Sequence, residues 1–174
     1  SFARYFKANA GASLSWSKNN NIRAITGNPD FIQTTENYLH NYNVGFSTNL
    51  KNLPNIDLSY NYSINDSQVQ TFYVDNPSLT LEYFFLDAFS FKADYDFYHN
   101  RDKAKTIDTE YDFLTASLSY QKKDSKLEYK LSATNLLNTT SLNDSSFSAL
   151  GGSTNFSSYY VQPRYIILSL KYNL

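Results

Sequence analysis

Residues 56 to 64 read Ile56-Asp57-Leu58-Ser59-Tyr60-Asn61-Tyr62-Ser63-Ile64. Five positions are apolar or aromatic, and the four between them are polar. Successive side chains of a strand point to opposite faces, so this period of two predicts a strand with one apolar and one polar face.

The same alternation recurs on both sides of that stretch. It predicts strands over about 4–18 (Phe6, Ala8, Ala10, Ala12, Leu14, Trp16 on the apolar face) and 37–50 (Tyr42, Val44, Phe46, Thr48, Leu50). After the quoted strand come 70–86 (Leu79, Leu81, Tyr83, Phe85), 89–100 (Phe89, Phe91, Ala93, Tyr95, Phe97) and 108–121 (Leu114, Ala116, Leu118, Tyr120). The last two are 126–135 (Leu127, Tyr129, Leu131, Ala133) and 160–174 (Ile166, Leu168, Leu170, Tyr172, Leu174). The fold class this predicts is all-β: one domain over 1–174, a transmembrane antiparallel up-and-down β-barrel wall of about eight strands.

Connection lengths are expected to alternate. KNLPN from Lys51, Asp87-Ala88 and KKDSK from Lys122 are short, whereas the segments after strands 1, 3, 5 and 7 read as longer, polar and irregular. The longest spans Asn138 to Ser158. Short periplasmic turns against long outer loops would put both termini in the periplasm. A strand of about ten residues rising about 3.3 Å each, tilted about 40°, covers roughly the 25 Å of an apolar membrane band. Trp16, Tyr42, Phe97 and Phe72 are expected at its outer rim, and Phe85, Phe89, Tyr120, Tyr129 and Tyr172 at its inner rim.

Composition agrees. The chain has 174 residues, net charge −1, 16 Tyr and 13 Phe but only 5 Gly and 4 Pro. Its mean hydropathy of −0.50 and lack of a long apolar run exclude a membrane helix and leave a barrel untouched. Near-zero net charge leaves no nucleic-acid footprint. There is no Cys, no initiator Met and no export signal. The signal is therefore expected to have been removed, or the chain to be an internal cut of a longer one. A soluble β-sandwich also alternates. Against it stand strands longer than the usual 5–6 residues, apolar faces with aromatic ends, and the alternation of loop lengths.

The last fifty residues carry a resemblance. LSATNLLNTTS from Leu131, a polar loop, and YYVQPRYIILSLKYNL to the end resemble the C-terminus of TonB-dependent outer-membrane receptors. Asn135, Leu136, Leu137 and Asn138 fit that family's N-L-[FL]-[ND] element, and Pro163, Arg164 and Tyr165 fit its proline-arginine-aromatic lead into the last strand. LTLEYFFLDAFSFKADYDFYHN from Leu79 resembles barrel walls of Bacteroidota members. The resemblance implies a Gram-negative outer-membrane location and energised uptake of a scarce nutrient such as an iron chelate, vitamin or glycan. It also implies a plug domain and a TonB-type energising complex as partners, beside the bilayer and the barrel-assembly machinery. Leu168, Leu170, Tyr172 and Leu174 resemble the C-terminal strand that this machinery reads, with Leu174 in place of the usual terminal aromatic.

Closure is left open by the sequence. Asn43, Gly45, Ser47 and Asn49, Asp57, Ser59, Asn61 and Ser63, and Thr115, Ser117 and Ser119 are small polar residues that would fill a narrow lumen poorly. They favour a segment of a larger barrel. Lys92, Asp94 and Asp96 with Glu128 and Lys130 face the same lumen and could form a charge network inside a closed eight-stranded barrel. Such a small barrel would serve as an anchor, adhesion surface or assembly partner. Neither reading includes an enzyme, metal or cofactor. His40 and His99 lack a specified nucleophile, the scattered Asp66, Asp75, Asp102, Asp108 and Asp144 lack calcium-loop spacing, and Gly151-Gly152 reads as a flexible turn.

Overall fold

A computed structural model describes residues 4–23, 31–68, 70–148 and 153–172. Its elements are strands: β1 (Phe6–Arg23), β2 (Phe31–Thr48), β3 (Asn55–Ser67), β4 (Thr71–Phe85), β5 (Phe89–Asp102), β6 (Asp108–Tyr120), β7 (Leu127–Thr134), β8 (Ser141–Ser148), β9 (Ser153–Tyr160) and β10 (Tyr165–Tyr172). Eight of them form one antiparallel up-and-down sheet in the order β1-β2-β3-β4-β5-β6-β7-β10, and β8 and β9 form a separate hairpin. All eight strands expected from the alternation are present.

Three expectations need correction. The segments expected to be long loops are mostly strand. β1 and β2 pair out to Arg23 and Phe31, well past the predicted ends at Lys18 and Asn37. The connection after β3 is three residues (68–70), shorter than the six (49–54) after β2. Alternation reports only whether one face is apolar. A backbone ladder continues unhindered where both faces turn polar. Loop length therefore carries no orientation here. The long final loop likewise contains the β8–β9 hairpin, with Leu142 opposite Tyr159. Finally, Phe72 stands on the polar face of β4, an odd number of positions from Leu79, and is buried rather than part of an outer aromatic rim.

The tight β4–β5 turn follows the right-handed twist of its strands. Leu86 and Asp87 both have left-handed φ (52° and 53°), and the Ala88 N–H donates to the Phe85 carbonyl at 3.4 Å, as in a type I′ turn.

No apolar core of the soluble kind is present among the described residues, where the buried hydrophobic side chains are Phe72 and Ile107. Leu14, Trp16, Val44, Leu58, Leu131 and Leu168 are all exposed, Leu168 to 74%. A contiguous apolar face of this size is not left in water by a soluble monomer.

Candidate functional site

Strand register fixes which residues share each face. Ala8, Phe46, Leu58, Leu79, Tyr95 and Leu114 stand opposite one another in a single row across β1 to β6. Along this apolar face each strand passes into charged residues at its far end, with His40 standing inside the band between Tyr42 and Tyr38 on β2. The switch comes after Trp16 (Lys18), Tyr38 (Glu36), Ile64 (Asp66), Pro77 (Asp75), Phe97 (His99) and Leu114 (Asp112). On β1 the boundary lies ten residues from the row, on β6 only two. It thus falls by eight residues across five strand steps. At about 3.3 Å per residue and about 4.8 Å per strand, that is a slope of about 45°. An apolar band oblique to its strands is what strands tilted in a bilayer require.

Aromatic rings line the opposite margin of that band. Tyr83, Phe85, Phe89, Tyr120 and Tyr129 run side by side over β4 to β7, with successive centroids 5.1, 5.4, 4.8 and 6.3 Å apart. Tyr172 continues toward this margin on β10 with Lys126 above its ring.

Above the boundary the outward face is charged. Lys18 and Glu36 pair at 3.0 Å, and this ammonium holds the Glu36 carboxyl below its usual range. Tyr60 donates to Asp75 at 2.5 Å, Asp75 pairs with Arg101, and Arg101 donates to His99 Nδ1 at 3.0 Å. Arginine can only donate, so His99 Nδ1 is the acceptor and Nε2 carries the proton given to Asp108 at 2.5 Å. His99 and Asp96 are three residues apart and lie on opposite faces of β5. No linear spacing announces the Tyr60–Asp75–Arg101–His99–Asp108 chain, which draws on four strands.

The polar face holds Lys92, Asp94 and Asp96 on β5, with Glu128 and Lys130 on β7. Lys92 pairs with Glu82 (3.4 Å) and Asp94 (3.5 Å), and Thr80 donates to Asp94 at 2.9 Å. Glu128 pairs across to Lys171 at 3.9 Å. These are two local groups: Ser117 separates Lys92 from Ser132 on β7, and Ser119 stands beside Lys130. Ser59 and Ser78 share a 2.7 Å hydrogen bond on the same face.

The two C-terminal motifs meet. Asn135 (1% exposed) takes a left-handed φ of 54° and donates through Nδ2 to the carbonyls of Thr139 (2.8 Å) and Gln162 (2.9 Å). Its Oδ1 accepts from the Thr139 N–H at 2.8 Å. Arg164 donates to the Leu136 carbonyl at 3.3 Å, and the Leu136 N–H donates to Leu114 at 2.8 Å. The Asn138 N–H closes on Asn135 at 2.9 Å. Leu137 is exposed, Pro163 lies in the lead-in beside these bonds, and Tyr165 opens β10 opposite Thr134. The residues form a clasp at the base of the β8–β9 hairpin, which the sequence did not reveal. Leu168, Leu170 and Tyr172 share the apolar face of β10, and Leu174 lies outside the described residues.

A second clasp closes the β5–β6 turn. Asp102 is buried and accepts from the Ile107 N–H (3.0 Å), the Thr106 hydroxyl (2.5 Å) and the Gln70 amide (2.7 Å). Burial pushes its carboxyl up, and these donors outweigh it, leaving the carboxyl below its usual value. It lies at the strand's end, beyond the apolar band.

No family model and no curated protein matches the chain. Among solved structures it is similar to OmpT (in-vitro folded), an outer membrane protein of Vibrio cholerae, with a TM-score of 0.53 and 11% identity. The match covers 96% of this chain and 51% of that one. The chain has the fold of an outer-membrane β-barrel wall. It spans about half the length of that barrel protein.

Proposed function

We propose that the chain is one part of the wall of a larger outer-membrane barrel that passes polar solutes. The observation that carries this reading is the pair of sheet edges. Among the described residues β1 pairs with β2 alone and β10 with β7 alone. Each edge leaves alternate backbone N–H and C=O groups facing outward, and in hydrocarbon each such group costs several kcal/mol. Further strands satisfy them. The small polar side chains of Asn43, Ser59 and Ser117 suit the wide, wet lumen of such a barrel. The resemblance at Asn135–Asn138 and Pro163–Tyr165 supports energised uptake of the TonB-dependent kind, with a plug and an energising complex as partners. In this reading the termini face the periplasm, the assembly machinery recognises β10, and the barrel catalyses no reaction.

The chain has no cysteine of its own to compete with engineered pairs. Ala10→Cys, Ala12→Cys or Leu14→Cys combined with Leu168→Cys should give no intramolecular disulfide in the whole protein in outer membranes. A high yield means that β1 meets β10 and that the barrel is a small closed one. Energised transport is tested by solute uptake in cells lacking the energising complex. Undiminished uptake rejects it.

A further inference from the structure

One row of the polar face differs from its surroundings. Gly11, Asn43, Asn61 and Asn76 stand opposite one another on β1 to β4. Tyr98 on β5 continues the row, falling between the pairs Asp75–His99 and Ser78–Asp96, and Tyr111 on β6 stands opposite Tyr98. The two tyrosine rings stack at 4.9 Å with 21° between their planes, and Phe113 meets Tyr111 edge-on at 6.1 Å.

Three features of this row point to a ligand. First, the side-chain amides of Asn43, Asn61 and Asn76 have no hydrogen-bond partner among the described residues, although each could make several bonds. Second, the wall is lowered beside them. A Cβ on Gly11 would lie 2.5 Å from Asn43 Oδ1, and one on Gly45 would lie 2.6 Å from Asn9 Oδ1. Both asparagines lie flat over a glycine. Glycine inside a strand weakens it and commonly marks a close approach. Third, the row itself carries no charge and no cation stands beside it; Asp96 is one same-face step along β5 from Tyr98, and Glu82, Lys92 and Asp94 lie further toward the other end of the same strands.

Amide donors and acceptors in line, ending on stacked rings and free of charge, match a ligand with many hydroxyls and apolar C–H faces. An anion would find no cation here. The strand spacing of about 4.8 Å is close to the repeat of an extended β-linked sugar chain, so one sugar residue can sit over each strand.

We propose that this row binds a neutral linear oligosaccharide, with Asn43, Asn61 and Asn76 bonding its hydroxyls and the Tyr98–Tyr111 stack holding one pyranose face. The proposal rests on the polar face being the lumen of an outer-membrane barrel. The whole protein in detergent is presented with immobilised cellohexaose and xylohexaose, and with oligogalacturonate as the charged control. The neutral chains should bind and the charged one should not. Tyr98→Ala and Asn61→Ala should each weaken binding up to roughly tenfold. Tyr98→Phe, which keeps the ring, should retain it. Gly11→Ala should also weaken it by displacing the Asn43 amide. Heat-modifiable electrophoretic mobility checks that each variant is folded. Binding unaffected by both alanine variants, or no binding of either neutral chain, overturns the proposal. Membrane fractionation separates the two readings: a protein absent from the outer membrane sinks the barrel, whereas an inserted barrel blind to both sugars sinks only this site.

Discussion

Replacing Asn135 by alanine should release the β8–β9 hairpin while leaving the sheet paired. The side chain makes three hydrogen bonds of 2.8 to 2.9 Å, two to carbonyls on either side of the hairpin and one from the Thr139 N–H. At about 1 kcal/mol net apiece, their loss costs about 3 kcal/mol. Alanine also has to hold a φ of 54°, which adds about 1 kcal/mol relative to residues that tolerate the left-handed region. Asn135→Gly removes the same bonds without that second cost. The pair of variants therefore separates side-chain bonding from backbone conformation. The readout is amide hydrogen exchange at Thr139 and Val161, whose N–H groups donate to Asn135 Oδ1 and the Thr140 carbonyl. At a factor of ten per 1.4 kcal/mol, protection should fall by roughly a hundredfold in Asn135→Gly and several-fold further in Asn135→Ala. Amides of β2 and β3 should be unchanged. Protection within threefold of the parent in both variants would falsify the clasp as the element that holds the hairpin.

Two further perturbations test the faces and the turn. Leu131→Arg places a cation in the middle of the apolar face and should cost about 2–4 kcal/mol in a bilayer unfolding titration. Ser132→Arg, one residue along on the polar face, should be tolerated, and equal losses would contradict the assignment of faces. The Asp102 carboxyl sits below its unfolded value, so its contribution to the β5–β6 turn is complete above that value and disappears as pH falls through the folded one. Exchange at the Ile107 amide, corrected for intrinsic rates, should therefore rise as the pH falls through and below the usual carboxylate range. Asp102→Asn should flatten that rise, and a flat profile in the parent would remove the carboxylate from the turn.

Much of the wall was legible because a strand shows its two faces locally. Leu58 and Ser59 announce themselves without reference to any other strand. The signal stops where both faces turn polar, which is why Asn19, Asn20 and Asn21 read as loop although they pair with Thr35, Thr34 and Gln33. Phe72 has the ring of a lipid-facing residue but not the parity. Its parity puts it on the polar face, where it is buried opposite Asp102. The asparagine row was invisible for a different reason. Asn43, Asn61 and Asn76 are brought together by register alone, and register depends on turn geometry as well as on each strand's own pattern.

Closure belongs to the same class of relation between distant strands. Side-chain parity on β1 is identical whether its free edge meets β10 or a strand from elsewhere, so the apolar face cannot distinguish the two. The polar face can. An eight-stranded barrel must fill its interior with side chains. The wall from β1 to β3 offers Gly11, Ser13, Asn43, Gly45, Ser59, Asn61 and Ser63 for that purpose, and Asn43 and Asn9 lie down over Gly11 and Gly45 instead of reaching inward. Such a wall leaves space in front of it. Space in a narrow barrel is a cavity without packing partners, whereas in a wide barrel it is the aqueous path itself. The unpaired edges and the flattened asparagine floor thus favour the same conclusion from independent groups, one from the backbone and one from the side chains.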